Sequence, residues 1–195
     1  SSGQKTSSQE SRLAQFHKSE GYLGITQSDV YSDAIQSQDF SPFLDRVTRY
    51  ETAWSTIDAS AKTAQNVLTS LKACVAHATE AETALTTIVN PVLAKAVLAT
   101  SVVVTARQAV ADARVPLGTK VTSQDYTSRM QAVQGISPTL AEYGDAIKDS
   151  QVIGLATSMP PGSLTVSGGS LVDQMGLLSS NALALKTACG LGEQS

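Results

Sequence analysis

Few side chains in this 195-residue chain are of a type and spacing that could do chemistry. Its two cysteines, Cys74 and Cys189, stand 115 residues apart, which is neither a metal-ligand spacing nor a redox motif. Bonded, they would close a loop worth about 4–5 kcal/mol in the chain-entropy model. Unbonded, they would be two small apolar residues buried separately, the commoner fate of such cysteines. Of the two histidines, His17 lies in a polar N-terminal stretch and His77 sits between Ala76 and Ala78. Neither shows a ligand-spaced neighbour, so no metal site and no cofactor are expected. No glycine-rich loop follows a strand pattern, so a phosphate cradle is not expected either. Glu80 and Glu82 fall on different faces of a helix, and no serine is marked as part of a triad. These residues describe a protein that is not an enzyme.

Charge narrows the partners. A formal net charge of −3 argues against a nucleic-acid binder that relies on a broad basic patch. A coat subunit covers few phosphates and needs only a handful of arginines. Arg46 and Arg49 share a helix face, as do Arg107 and Arg114, seven residues apart, so these four are the candidate phosphate contacts. The alternative is that they are solvated, or paired with Asp45, Glu51 and Asp112.

The elements that would position these residues follow from periodicity. Residues 1–40 read as a polar tail, with an amphipathic patch at Leu13, Phe16 and Leu23 and one short helix from Asp29 to Gln38 capped by Ser28. The bundle domain spans 41–195. Ser41 is expected to cap its first helix and Pro42 to open it. Apolar residues then step by four and three: Phe43, Val47, Tyr50, Trp54, Ile57, Ala61, Ala64, Leu68, Leu71, Val75 and Ala78. Glu82 is the one polar member before Leu85 and Val89. Such a repeat predicts one helix packed along its length in coiled-coil fashion. The count runs on without losing phase through Asn90-Pro91 to Val92, Ala96, Ala99, Val103, Ala106, Val110 and Ala113, so the proline predicts a bend rather than a reversal. Pro116 and Gly118 end that arm. A further helix is expected from Thr122 or Ser123, with a kink or restart at Ser137-Pro138. Residues 158–170 read as a flexible linker. The last helix opens at Ser170, with Asp173 three residues on, and stops at Gly190. The expected fold is all-α: an elongated, antiparallel, coiled-coil-like bundle built on one long helix kinked at Pro91.

Composition bears on what such a bundle does. Ala, Ser and Thr number 25, 25 and 20, while charged residues are 16% and aromatics 5%. A hydroxyl-rich surface suits an extracellular protein, or one whose surface is covered by neighbours, since short side chains lose little rotamer entropy on packing. Residues 92–106 are apolar on nearly all sides, which predicts burial all round, by other helices, a second subunit or a lipid-like ligand. Val92, Val97, Val103 and Val104 are the candidate groove or subunit contact. No run reaches the roughly 18 apolar residues of a membrane span, so no stable transmembrane insertion is expected.

The hydroxyl-rich, mildly acidic, helical character is similar to that of rod-shaped virus coat proteins. The segment "AVQGISPTLAEYGDAI" resembles a stretch of fungal cell-wall mannoproteins that bind lipids. Neither likeness covers a diagnostic motif, so no functional residue is carried over from them. The sequence therefore favours a self-assembling structural subunit of a filament, coat or surface layer, with itself as partner and single-stranded nucleic acid as cargo if it is a coat. The runner-up is a secreted bundle that binds an apolar ligand or docks on a host partner. A membrane-active helical protein using residues 92–106 is the third reading. An extracellular or virion-surface location fits better than a cytoplasmic one.

Overall fold

The structure is a computed structural model. It describes residues 33–35, 37–114, 122–148, 164 and 169–191. The N-terminal patch with His17, and the linker apart from Leu164 and residues 169–170, lie outside the described residues. Among those described, every regular element is helical, and the chain is an all-α bundle. It divides into two compact units, one containing 46–103 with the segment from 138 onward, the other containing 104–137 with the chain up to Asp45.

The first helix, α1, spans Ser41–Leu71. Its cap is not Ser41: the Asp39 carboxylate accepts the Ser41 N–H at 3.0 Å, and the Leu44 N–H already bonds the Phe40 carbonyl. Pro42 falls in the first turn, where its missing N–H would have had no helical partner.

A single helix running from residue 43 to residue 89 does not form. α1 ends at Leu71, and residues 72–77 are a turn closed by Cys74 N–H to Leu71 O and His77 N–H to Cys74 O, each 2.9 Å. The chain then reverses. Lys72 pairs with Glu82 at 2.9 Å and Gln65 donates to Asn90 at 3.2 Å, partners that move apart in sequence as an antiparallel hairpin requires. The stripe residues that fail are those in and just after the turn: Val75 is 94% exposed and Glu82 is exposed, whereas every stripe residue from Trp54 to Leu71 is buried. "KACVAH" contains no Gly or Pro, which is why periodicity ran through it.

The second arm consists of α2 (Ala78–Ala84), a π-helical turn (Leu85–Val89) and α3 (Asn90–Arg114). Here the chain passes Asn90-Pro91 without reversing. The Asn90 N–H reaches back five residues to the Leu85 carbonyl, and Asn90 itself is helical at φ −63°, ψ −43°. The widened turn places one extra residue ahead of Pro91, giving its ring room that an α-turn lacks. Leu85, Val89, Val92, Ala96, Ala99, Val103, Ala106, Val110 and Ala113 are all buried, so the four-three stripe holds across the proline.

Burial all round is not observed. Val97, Leu98 and Val104 are 68%, 57% and 62% exposed. Residues 78–114 are long and apolar enough to cross a membrane by length and composition alone, although no uninterrupted apolar run appears in the sequence. The stripe just named accounts for one face of that apolar character as bundle core; the face carrying Val97 and Leu98 is left open.

In the larger unit, α1, α2 and α3 share one core with α5 (Ser137–Lys148) and α6 (Leu171–Ala188). Trp54, the only tryptophan, donates its indole N–H to the Tyr143 carbonyl at 3.2 Å and meets the Tyr143 ring edge-on at 5.9 Å. Burial, with a smaller push from Glu142, raises the Tyr143 phenol above its usual range. Position 144, inside α5, is a glycine because the Tyr50 ring occupies the space a Cβ would need. Leu164, in the stretch read as linker, is fully buried in this core. α6 starts where Ser170 accepts the Asp173 N–H at 3.2 Å. It ends in a Schellman motif, with Gly190 at φ +74° and bonds from Gly190 N–H to Thr187 O and Leu191 N–H to Lys186 O.

The smaller unit packs Phe40, Val110, Ala113, Met130 and Val133 together, flanked by Phe43, Leu44 and Tyr126. α4 (Ser123–Gln134) opens with a full capping box, in which Thr122 and Asp125 satisfy each other's backbone N–H groups. It stops at Gly135, and α5 restarts at Ser137-Pro138.

The outward hydroxyls share one habit. Thr56, Thr63, Thr69, Ser70, Thr83, Thr86, Thr87 and Thr187 each donate to the carbonyl four residues back. Their polar atoms are satisfied by their own helix.

Two predictions follow from this packing. Ala61 and Ala64 are fully buried, so Ala61→Leu should cost roughly 1–3 kcal/mol by overpacking. Thr63→Ala on the exposed face should change stability by about 0.5 kcal/mol at most. Thermal melting of the two variants checks the register of α1, and a neutral Ala61→Leu would show that the stripe faces no close neighbour. Separately, the Thr122 hydrogen bonds and, less strongly, Arg129 hold the Asp125 carboxyl below its ordinary range. A carboxyl lowered by folding stabilises above its unfolded pKa and loses that contribution as pH falls through the folded value. Asp125→Asn should therefore flatten the fall in melting temperature below about pH 4.

Candidate functional site

Two places in the fold gather candidate functional side chains. The first is a corner of the larger unit. Cys74, in the turn after α1, is bonded to Cys189, the C-terminal cap of α6, with Cα atoms 6.1 Å apart. The Schellman motif fixes the Cys189 backbone, and the 72–77 turn fixes Cys74. His77 closes that same turn and serves as backbone cap of α2 without a side-chain capping bond. The sulfurs and an imidazole nitrogen lie within 4.8 Å of one another, and all three side chains are partly buried. His77 Nδ1 is buried and has no hydrogen-bond partner among the described residues. The absence of any ligand-spaced neighbour for His77, expected from the sequence, is thus corrected. Cys74 stands three residues before it, a step that was legible in "CVAH", and Cys189 arrives from 115 residues away.

The second place is a groove in the smaller unit, between the last turns of α3 and the body of α4. It has a volume of about 560 Å³ and is lined by Val104, Thr105, Gln108, Ala109, Asp112, Ala113, Ser128, Arg129, Ala132 and Ile136. The lining is mostly apolar. Its polar edge is built rather than loose: Gln108 donates to the Asp112 carboxylate at 2.7 Å, and Arg129 donates to the Asp112 carbonyl at 2.8 Å. Alanines at 109, 113 and 132 keep the groove open, because larger side chains there would fill it.

The candidate contacts read from the sequence divide on the structure. Val92 and Val103 are buried in the core, whereas Val97 and Val104 are exposed, and Val104 lines the groove. Arg46 is partly buried and Arg49 exposed in the larger unit, while Arg107, partly buried, and Arg114, exposed, belong to the smaller one. Arg114 stacks over the Phe40 ring at 5.3 Å. The four do not form one cluster within either unit. Gln108, Ala109, Asp112, Arg129, Ala132 and Ile136 were missed as groove residues, because the signal is the pairing of two helices and not a motif along one.

Fold and sites together define a disulfide-linked all-α bundle with an open apolar groove. No protein-family model, curated protein or solved structure matches the chain.

Proposed function

We propose that the protein is a non-catalytic binding module that holds a small apolar, lipid-like ligand in the groove between α3 and α4. The observation that carries this reading is the groove itself. Its volume falls within the roughly 300–1,000 Å³ of small-molecule sites, and an apolar lining with a few fixed polar groups at one edge is their usual chemistry. The cystine supports an oxidising, extracellular setting, where such bonds persist. From sequence alone self-assembly ranks first; the groove reverses that order.

Self-association stays as a second reading because of one observation. Val97 and Leu98 on α3, with Leu177 and Leu183 on α6, are each at least half exposed. Where such side chains adjoin, exposed apolar surface marks an interaction site. The coat and filament forms of that reading, with nucleic acid at Arg46, Arg49, Arg107 and Arg114, draw no support from the placement of those arginines.

Titration with a polarity-sensitive fluorescent acyl probe tests the first reading. One equivalent should bind with a blue shift, and Ala132→Trp, which fills the groove from an exposed position, should weaken binding at least about tenfold. The same variant should melt where the parent does. Failure of the probe to bind, with sedimentation showing concentration-dependent oligomers that Val97→Glu disrupts, would favour self-association.

A further inference from the structure

We propose that reduction of the Cys74–Cys189 bond turns this corner into a three-ligand site for a soft divalent cation, Zn2+ being the best match. The ligand atoms of Cys74, His77 and Cys189 already lie within 4.8 Å of one another. The backbone already gathers them, because Cys74 and His77 share one turn and Cys189 is fixed by the Schellman motif; once the bond is reduced, the two sulfurs must swing apart to ligate one ion. His77 supplies the independent observation. A buried imidazole nitrogen without a hydrogen-bond partner carries an uncompensated desolvation cost, and a cation bound to the ring would offset it. Two thiolates and an imidazole are the donor set that selects zinc over magnesium or calcium. Three protein ligands leave a fourth tetrahedral position for water or an outside donor.

The chemistry balances with a dithiol as reductant. Its two S–H bonds give up two electrons and two protons; the protein S–S bond breaks, two protein thiols form, and the dithiol closes to its own disulfide. Binding of the cation then forms two metal–sulfur bonds and releases the two thiol protons to buffer. A disulfide oxidant reverses the sequence: it takes two electrons from the two thiolates and two protons from buffer to become a dithiol, the Cys74–Cys189 bond re-forms, and the ion is expelled. The turn after α1 and the end of α6 are thus joined in both states, once by a covalent bond and once by a metal.

The experiment uses the full chain, reduced with a phosphine that becomes its oxide, and Co2+ as a spectroscopic probe. Near-ultraviolet sulfur-to-cobalt charge-transfer absorption should saturate at one equivalent, be absent from the oxidised protein and disappear on adding Zn2+. His77→Ala, its fold in the oxidised state checked by circular dichroism, should weaken Co2+ binding by more than about tenfold once reduced, since even outer-shell losses cost about 10–100-fold. Zn2+ should also raise the melting temperature of the reduced parent and not of reduced His77→Ala. The proposal is overturned if the reduced protein shows no charge-transfer band, or if His77→Ala binds and is stabilised as well as the parent. It is equally overturned if circular dichroism shows a reduced chain that is unfolded and stays so with Zn2+.

Discussion

The constraint on which the larger unit depends is the size of its alanines. Ala61, Ala64, Ala81, Ala84, Ala96, Ala99, Ala146 and Ala182 supply eight of the 22 buried residues of that core. Each removes only one methyl from water, so transfer free energy per residue is small, and the gain must come from backbones close enough for many weak contacts. Larger residues are then placed where the small ones leave space: Trp54 and Leu68 on either side of Ala61 and Ala64, Met175 and Leu178 on α6. The same logic explains the π turn. A proline within a helix that must keep its stripe inward is accommodated by one extra residue in the preceding turn, not by breaking the helix.

Much of this was legible in the sequence, and the gaps have physical reasons. The four-three count identified the buried face of α1 from Val47 to Leu71, and that of the second arm from Leu85 to Ala113, because a core-facing stripe leaves that imprint whatever the helix packs against. It could not mark the reversal at 72–77. A turn there needs only that the helix bonds stop, and in "KACVAH" no residue forbids their continuing; Glu82, polar within an apolar stripe, was the visible sign. Ser170 and Gly190 were readable as helix ends because their local bonds are dictated by residue type. Ser41 was not, because the helix begins one residue earlier than its cap would require, and the Asp39 carboxylate, of similar capping chemistry, accepts the Ser41 N–H from outside the helix.

The sites were harder to read for a different reason. The groove exists because Ala109 and Ala113 of α3 and Ala132 of α4 are small on two helices at once, and nothing in either helix alone distinguishes a groove-lining alanine from a core one. The cystine corner depends on Cys189 returning to a turn 115 residues earlier. Its local half, Cys74 with His77, lay in the sequence as a three-residue step. Both sites depend on tertiary pairing, and both sit where the bundle's regular repeat is interrupted or left open.

The back-bonded hydroxyls have a consequence for how this protein meets anything in solution. Thr63, Thr69, Thr83 and Thr87 aim their oxygens at their own helices, leaving less polarity facing outward than their residue types suggest. With charged residues at only 16% of the chain, the long-range field is weak. Any encounter is then expected to be little steered over the Debye length of about 8–10 Å, with association near the unsteered range of about 10⁵–10⁶ M⁻¹s⁻¹ and little sensitivity to ionic strength. Discrimination between partners falls to short-range fit, expressed in how long a complex lasts rather than how fast it forms.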